Sequence, residues 1–114
     1  MSSNEEETKE GYVYLLQDIS TGLCKIGRTK NPNERISNIQ VGNPTFYRLL
    51  NLIKCKNYFS GEKYLHLILK KYRKRGEWFL LPEEVQEWLK LFDKDPKEYI
   101  TEELNESKNE TSNI

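Results

Sequence analysis

Two short segments near the N-terminus have the composition of β-strands. Residues 12–17 and 23–27 are rich in Tyr, Val, Leu and Ile, and the residues between them, 18–22, are typical of a turn. Two strand-like segments joined by a short turn predict a β-hairpin.

The alternation of side chains along these strands also predicts which polar residues lie on the same face of the sheet. Tyr12 and Tyr14 share one face of the first strand, and Lys25 and Gly27 share one face of the second. Phenol and ammonium groups can therefore lie on one patch of the sheet.

A helix is predicted directly after the hairpin. Asn31 can cap it, Pro32 suits its first position, and Glu34 completes a capping box three residues after the cap. The helix is expected to run to about Gln40, before Gly and Pro residues that stop it. Arg35 lies beside its apolar stripe, so the guanidinium can sit at the margin of the core.

The rest of the apolar pattern predicts a third strand, two more helices and one short strand. Residues 46–54 are expected to form the third strand, Asn57 can cap the second helix, and Pro82 opens the third. The short strand is expected within residues 76–80. Glu62 continues the inward stripe of the second helix, whose apolar members recur at helical spacing: Leu65, Ile68, Leu69 and Tyr72.

Both ends of the chain are polar and acidic. Residues 1–10 are expected to be disordered, and residues 93–114 are expected to fray or remain disordered, which leaves one small domain over residues 11–92. No apolar run is long enough to span a membrane, and the N-terminus lacks a signal peptide's apolar stretch. We therefore expect a cytoplasmic or nuclear protein whose reduced cysteines, Cys24 and Cys55, are small buried apolar residues.

Charge is unevenly distributed along a chain that is neutral overall. Residues 11–92 hold fourteen Lys and Arg against seven Asp and Glu, whereas the two ends together hold four against eleven. A basic domain attracts polyanions, which favours a nucleic acid as partner. The acidic ends either restrain that attraction or only aid solubility.

A small set of polar side chains has the chemistry needed to hydrolyse a phosphodiester. The reaction needs a base for water, positive charge for the transition state, and a grip on the backbone. Tyr14 or Tyr12 can act as the base or orient the water, and Lys25 and Arg35 can stabilise the negative charge. Glu62 can bind Mg²⁺ or Mn²⁺, because such an ion often needs only one or two carboxylates.

The order and spacing of these residues resemble the GIY-YIG nuclease superfamily. Residues 12–14 look like its first motif, and residues 25–27, Lys-Ile-Gly, look like its second. Arg28 and Thr29 follow, as similar residues do in the family. Arg35 and Glu62 fall where its helical arginine and metal-binding glutamate are expected. Together with residues 76–79, Gly-Glu-Trp-Phe, the pattern is especially similar to a small phage- and virus-associated branch.

This resemblance covers roughly residues 11–92 and implies an α/β (α+β) fold, a small three-stranded antiparallel sheet flanked by helices. The implied activity is metal-dependent cleavage of DNA by an endonuclease that uses Mg²⁺ or Mn²⁺. Carried over by position, Tyr14 is the base, Arg35 contacts the scissile phosphate, and Glu62 holds the metal ion.

Two positions depart from the superfamily pattern. Tyr12 takes the place of the first motif's glycine, as it does in this branch, and Lys25 replaces the second motif's tyrosine. Some restriction enzymes of the superfamily look similar in having lysine there. A histidine that follows the arginine in some members is missing, which leaves the proton path open.

The remaining charged candidates each have two interpretations. His66, one turn after Glu62, is either a proton shuttle or ligand or a structural residue, and Glu77 offers a second carboxylate. Glu62 itself can equally be a structural ion-pair partner of Lys25 or Arg35. Arg28 and a basic run suit phosphate contact, or else mark a strand end and a solvated helix end. The run consists of Lys70, Lys71, Arg73, Lys74 and Arg75.

Three functions follow from this pattern. The first is a DNA nuclease, and the second is a DNA- or RNA-binding module on the same fold that has lost cleavage, which Lys25 and the missing histidine favour. The third is a protein-interaction adaptor that uses the acidic ends. The chain has no room for a separate DNA-reading domain. Specificity is therefore expected to come from DNA structure, from a dimer or from a protein partner, or to be lacking.

Overall fold

The structure is a computed structural model that describes residues 9–42 and 47–112. Of residues 1–10, for which disorder was predicted, residues 1–8 lie outside the described residues. None of the described helices is both long enough and apolar enough to cross a membrane. The elements follow in chain order: β1 (Gly11–Asp18), β2 (Cys24–Thr29), α1 (Pro32–Gly42), β3 (Tyr47–Cys55), α2 (Tyr58–Ile68), β4 (Arg73–Arg75), β5 (Trp78–Phe79), α3 (Glu83–Lys90) and α4 (Pro96–Ser112).

The five strands form one open antiparallel sheet in the order β3-β1-β2-β5-β4. The mixed α and β composition agrees with the predicted fold class, but the prediction of three strands is wrong. Strand β5 lies within residues 76–80, where a short strand was predicted outside the three-stranded sheet, and β4 was not predicted at all. Strand β4 has only three residues, all of them basic and exposed. It carries no apolar alternation, and its pairing with β5 depends on contacts that the local sequence does not reveal.

The predicted hairpin is confirmed as β1 and β2. The Asp18 amide donates to the Leu23 carbonyl at 2.8 Å, and the Gly22 amide donates to the Asp18 carbonyl at 2.7 Å. Gly22 has a φ of 79°, a conformation that glycine adopts at little cost. The Asp18 carboxylate accepts hydrogen bonds from Ser20, which lower the pKa of that carboxyl. The turn therefore supplies its own polar partners.

One face of the sheet carries the main core. Helices α2 and α3 supply Leu65 and Leu89, both almost fully buried, and the strands supply apolar side chains that alternate inward. Cys24 and Cys55 belong to this core as free thiols, as predicted. Burial raises the pKa of Cys24 to about 11 and that of Cys55 to about 12, so both stay protonated at neutral pH. The strand residues on this face are Val13, Leu15, Ile26 and Ile53.

Helix α2 begins as predicted but ends earlier. The Asn57 side chain accepts a hydrogen bond from the Ser60 amide at 3.1 Å, which is the expected cap. The helix ends at Ile68, and residues 70–72 form a short 3₁₀ turn, so the prediction of Tyr72 as a helical position is wrong. The carbonyl of Tyr72 instead accepts from the amide of Leu80 at 2.8 Å. Sheet pairing thus overrides the helical spacing.

The C-terminal segment forms helix α4, although the polar sequence after Asp93 predicted fraying or disorder. Side-chain contacts explain the helix. Tyr99 stacks on Phe92 with ring centroids 4.4 Å apart, and the indole of Trp88 donates to Glu103 at 3.2 Å. The apolar residues of α4 are too sparse for a clear periodic signal, so only tertiary packing reveals the helix.

We predict that Ile100→Ala lowers the free energy of unfolding by about 2 kcal/mol, because Ile100 packs from α4 against the main core. Urea unfolding followed by circular dichroism measures the change. The matched control is Lys97→Ala on an exposed position of α4, expected to change stability by less than about 0.5 kcal/mol. Equal effects of the two substitutions would contradict docking of α4.

Candidate functional site

Tyr14 lies on the sheet face opposite the main core and is 1% exposed. Its partner across the β1–β2 pair is Gly27, and the phenol ring lies directly over that residue. A Cβ atom at position 27 would be 2.5 Å from the Tyr14 Cζ atom and nearer still to the hydroxyl. The glycine is therefore required by the close approach of the ring.

Arg35 reaches the Tyr14 hydroxyl from α1. Its Nε donates to the Tyr14 Oη at 3.4 Å, so this exposed side chain contacts the edge of the buried Tyr14 ring. Burial raises the pKa of the Tyr14 phenol above its ordinary value, and the Arg35 cation only partly opposes this effect. The phenol is therefore protonated at neutral pH and can donate a hydrogen bond.

Lys25 lies on the same face as Tyr14, two positions from Gly27 along β2. Its Nζ is 3.8 Å from Glu77 Oε1 and 5.6 Å from the centroid of the Trp78 ring. The carbonyl of Glu77 accepts from the amide of Ile26 at 3.0 Å, which fixes this acidic residue beside β2. The structure thus pairs Lys25 with Glu77.

Glu62 is the buried acidic side chain of the main core face, with 5% exposure. Its Oε1 is paired with the guanidinium of Arg28, and its Oε2 is 3.7 Å from His66 Nε2. The same His66 nitrogen lies 2.9 Å from the carbonyl of Ile26 and donates to it, since that carbonyl can only accept. His66 also packs edge-on against Phe79 at 5.0 Å between ring centroids. These contacts favour the structural interpretation of the histidine, because its Nε2 already has a hydrogen-bond partner.

The predicted catalytic side chains therefore fall into two groups. Tyr14, Arg35 and Lys25 share one face, whereas α2 packs on the other face, where position 61 lies against the Val13 side chain. Among the described residues, no hydrogen bond or ion pair joins Glu62 to any of the three. The charge of Glu62 nevertheless contributes to the raised pKa of Tyr14, as does that of Glu77. The groups are within electrostatic reach of each other.

The outer edge of β2 is where the two groups approach each other. Strand β5 pairs only with Cys24 and Lys25, so the later part of β2, residues 27–29, has no strand on that side within the described chain. Gly27 contributes no side chain there, and Arg28 points to the α2 face. The edge is therefore the route by which a single ligand could contact both groups.

A cleft of about 440 Å³ opens beside Glu62 at the start of α2. The guanidinium of Arg28 lies 3.8 Å from the centroid of the Phe59 ring at its wall. The cleft is lined by Arg28, Asn57, Phe59, Ser60, Glu62, Lys63 and His66. It combines one carboxylate with two cations, Arg28 and Lys63, a suitable setting for a phosphate and its counter-ion.

The cleft offers a hard divalent ion one carboxylate oxygen, that of Glu62. Glu62 Oε2 accepts no hydrogen bond from any residue that the structure describes, so a buried carboxylate oxygen is available. No group of three His, Cys, Asp or Glu side chains that could hold a metal occurs in the described ranges. An ion bound here would depend on Glu62, with water and phosphate as further ligands.

The remaining predicted residues are placed as follows. Tyr12 is half-buried between Thr29 and Lys54, on the Tyr14 face, and its hydroxyl makes no hydrogen bond within the described part of the chain. The basic run lies on the 3₁₀ turn and on the edge strand β4, exposed and without an ion pair to any described residue. Its members are Lys70, Lys71, Arg73, Lys74 and Arg75.

Comparison with known proteins assigns a family to the domain. The chain belongs to the T5orf172 domain family, which matches residues 11–93. No curated protein and no solved structure matches the chain. The matched range covers β1 to α3 and ends before α4, so the family assignment includes every predicted site residue.

We predict that Gly27→Ala lowers the free energy of unfolding by about 3 kcal/mol, because the new methyl group overlaps the Tyr14 ring. Denaturant unfolding of the purified protein measures the change. The control repeats the substitution in a Tyr14→Leu background, where the shorter side chain leaves room and the added cost should largely vanish. An equal cost in both backgrounds would mean that another contact is responsible.

Proposed function

We propose that the protein is a metal-dependent endonuclease that hydrolyses DNA phosphodiester bonds through a GIY-YIG-type site, with Mg²⁺ or Mn²⁺ as cofactor. The observation that carries this proposal is the buried carboxylate of Glu62, whose Oε2 accepts no hydrogen bond within the described residues, across β2 from the Tyr14–Arg35 pair. The T5orf172 family assignment and the motif resemblance support the same class.

The proposed roles follow from the chemistry of each group. Arg35 and Lys25 stabilise the negative charge that develops on the scissile phosphate. Glu62 holds the divalent ion, which supplies Lewis-acid activation of water or of a phosphate oxygen. Tyr14 orients the attacking water through Oη. To accept a proton, its phenol must first lose its own, which the Arg35 cation at 3.4 Å favours against the effect of burial.

The basic run supplies the grip on DNA in this proposal. Its five cations lie in one stretch of the surface, residues 70–75, that ends on the edge strand β4. Basic residues on an edge strand also prevent unwanted pairing with other strands, which is the structural alternative. Phosphate contact and edge protection are compatible, because both need exposed and unpaired cations.

The second candidate function is a DNA- or RNA-binding module without cleavage. Two ion pairs favour it, because each engages a group that catalysis would need. Arg28 is paired with one carboxylate oxygen of Glu62, and Lys25 is paired with Glu77. Such pairing is also what an enzyme needs to keep charged groups in place before substrate binds. Cleavage assays separate the two functions, and a failure to bind nucleic acid at low salt would favour the protein-interaction adaptor.

We predict that Glu62→Gln reduces metal-dependent nicking of supercoiled plasmid about 100-fold or more, because the amide cannot hold the ion as the carboxylate does. Gel electrophoresis over a Mg²⁺ and Mn²⁺ series measures the rate. DNA binding and circular dichroism should stay close to wild type. The matched control is Glu87→Gln, which removes an exposed carboxylate of α3 that pairs with Lys90.

Undiminished nicking by the Glu62 variant would rule out the proposed catalytic role. Binding without nicking by the wild-type protein, on supercoiled, linear, branched and single-stranded DNA alike, would support the binding module instead. Circular dichroism is measured on the same protein preparations, so a folding defect is detected before the nicking rates are interpreted.

We predict that replacing Arg73, Lys74 and Arg75 by Gln weakens DNA binding and flattens its salt dependence. Removing one phosphate contact should reduce the slope of log K against log salt by about 0.9. Fluorescence anisotropy at several salt concentrations measures the slope. A triple control, Lys56, Lys94 and Lys97 to Gln, removes the same charge on α4 and beside it. Identical slopes for both triple variants would show that only net charge matters.

A further inference from the structure

Glu77 is the acidic residue that contacts the Tyr14 face directly, although Glu62 is the one that the motif pattern singles out. Its Oε1 is 3.8 Å from the Lys25 ammonium, and its charge raises the pKa of both Tyr14 and Arg35. Three site residues on one face are thus within electrostatic reach of one carboxylate. This arrangement is distinct from the Glu62–Arg28 pair across the sheet.

The backbone holds Glu77 in place independently of its side chain. The Ile26 amide donates to the Glu77 carbonyl at 3.0 Å, and the next residue, Trp78, pairs with Lys25 across the strands. Gly76 precedes it with a φ of 54°, which turns the chain sharply back from β4. These backbone contacts therefore place the Glu77 carboxylate beside Lys25.

Lys25 needs such a partner if it is to act on a phosphate. Its ammonium is a point charge on a flexible four-carbon stem, and rotamer freedom would otherwise spread it over a wide volume. The Glu77 carboxylate and the Trp78 ring, 5.6 Å from the ammonium, restrict that volume. Both constraints come from the same short segment, residues 77–78.

We infer that Glu77 is a positioning residue, which holds the Lys25 ammonium on the Tyr14 face so that it meets the phosphate undergoing cleavage. This role rests on the nuclease function proposed above. It assigns Glu77 neither to the metal ion nor to the proton transfer. Glu77 contributes only by holding Lys25 in position, so the effect of replacing Glu77 on kcat should disappear when Lys25 is absent.

The kinetic test is a double-mutant cycle between Glu77→Gln and Lys25→Met in plasmid nicking. Glu77→Gln should lower kcat about tenfold without raising KM, because loss of a negative charge beside the substrate phosphate favours binding. In the Lys25→Met background the same change should have no further effect on kcat. Glu77→Asp, which keeps the charge, should recover part of the rate.

Independent effects of the two substitutions, each lowering kcat equally in both backgrounds, would overturn the positioning role. So would a rise in KM with unchanged kcat. Glu87→Gln is again the control, because it removes the same charge on α3 and should leave both constants unchanged. Unfolding curves for all variants show whether a lower rate reflects a smaller folded fraction.

A second measurement separates this inference from the nuclease proposal. The ¹⁵N resonance of the Lys25 ammonium in the full chain should shift in Glu77→Gln and not in Glu87→Gln. If the wild-type protein cuts no DNA and the shift is present, the nuclease proposal fails while the contact between Glu77 and Lys25 stands. If the resonance is the same in wild type and Glu77→Gln, the inference fails whatever the protein does to DNA.

Discussion

The close approach of the Tyr14 ring to the backbone at Gly27 is the constraint on which the rest of the site depends. It ties the register of β1 and β2 to a particular side chain on each strand, since a shift by one residue would put a larger side chain under the ring. It also holds the phenol beside β2, where Arg35 of α1 can reach it at 3.4 Å. The lack of a side chain at Gly27 therefore allows the Tyr14 hydroxyl to lie where it contacts the Arg35 guanidinium.

The two cations of β2, Lys25 and Arg28, lie on opposite faces of the sheet, and each has a carboxylate beside it. Arg28 neutralises the buried Glu62 on the α2 face, and Glu77 accompanies Lys25 on the other. Burial of an unpaired carboxylate is costly, so loss of Arg28 alone would destabilise the fold. A polyanion that binds at the edge of β2 would compete for cations of both pairs. In the proposed function, substrate binding and the internal ion pairs are therefore coupled by the same electrostatics.

Prediction from sequence succeeded where the signal is local. The hairpin, the Asn57 cap and the burial of both cysteines follow from short-range patterns, and the structure contains all three. It was wrong about β4 and α4, because a run of cations and a polar segment have no periodicity of their own. Both elements are stabilised by contacts with distant parts of the chain. The Ile100 side chain and the stacked Tyr99 and Phe92 rings are examples for α4.

The amino-acid sequence by itself determined which phenol, cations and carboxylates are candidates for the site, and that Tyr14 and Lys25 lie on one face. Only the tertiary structure decided how they are grouped, with Glu62 paired to Arg28 instead of Lys25 or Arg35, and Glu77 beside Lys25. The physical reason is that alternation fixes the face of a strand residue locally. The side of the sheet on which a helix packs is set by burial of the whole apolar surface.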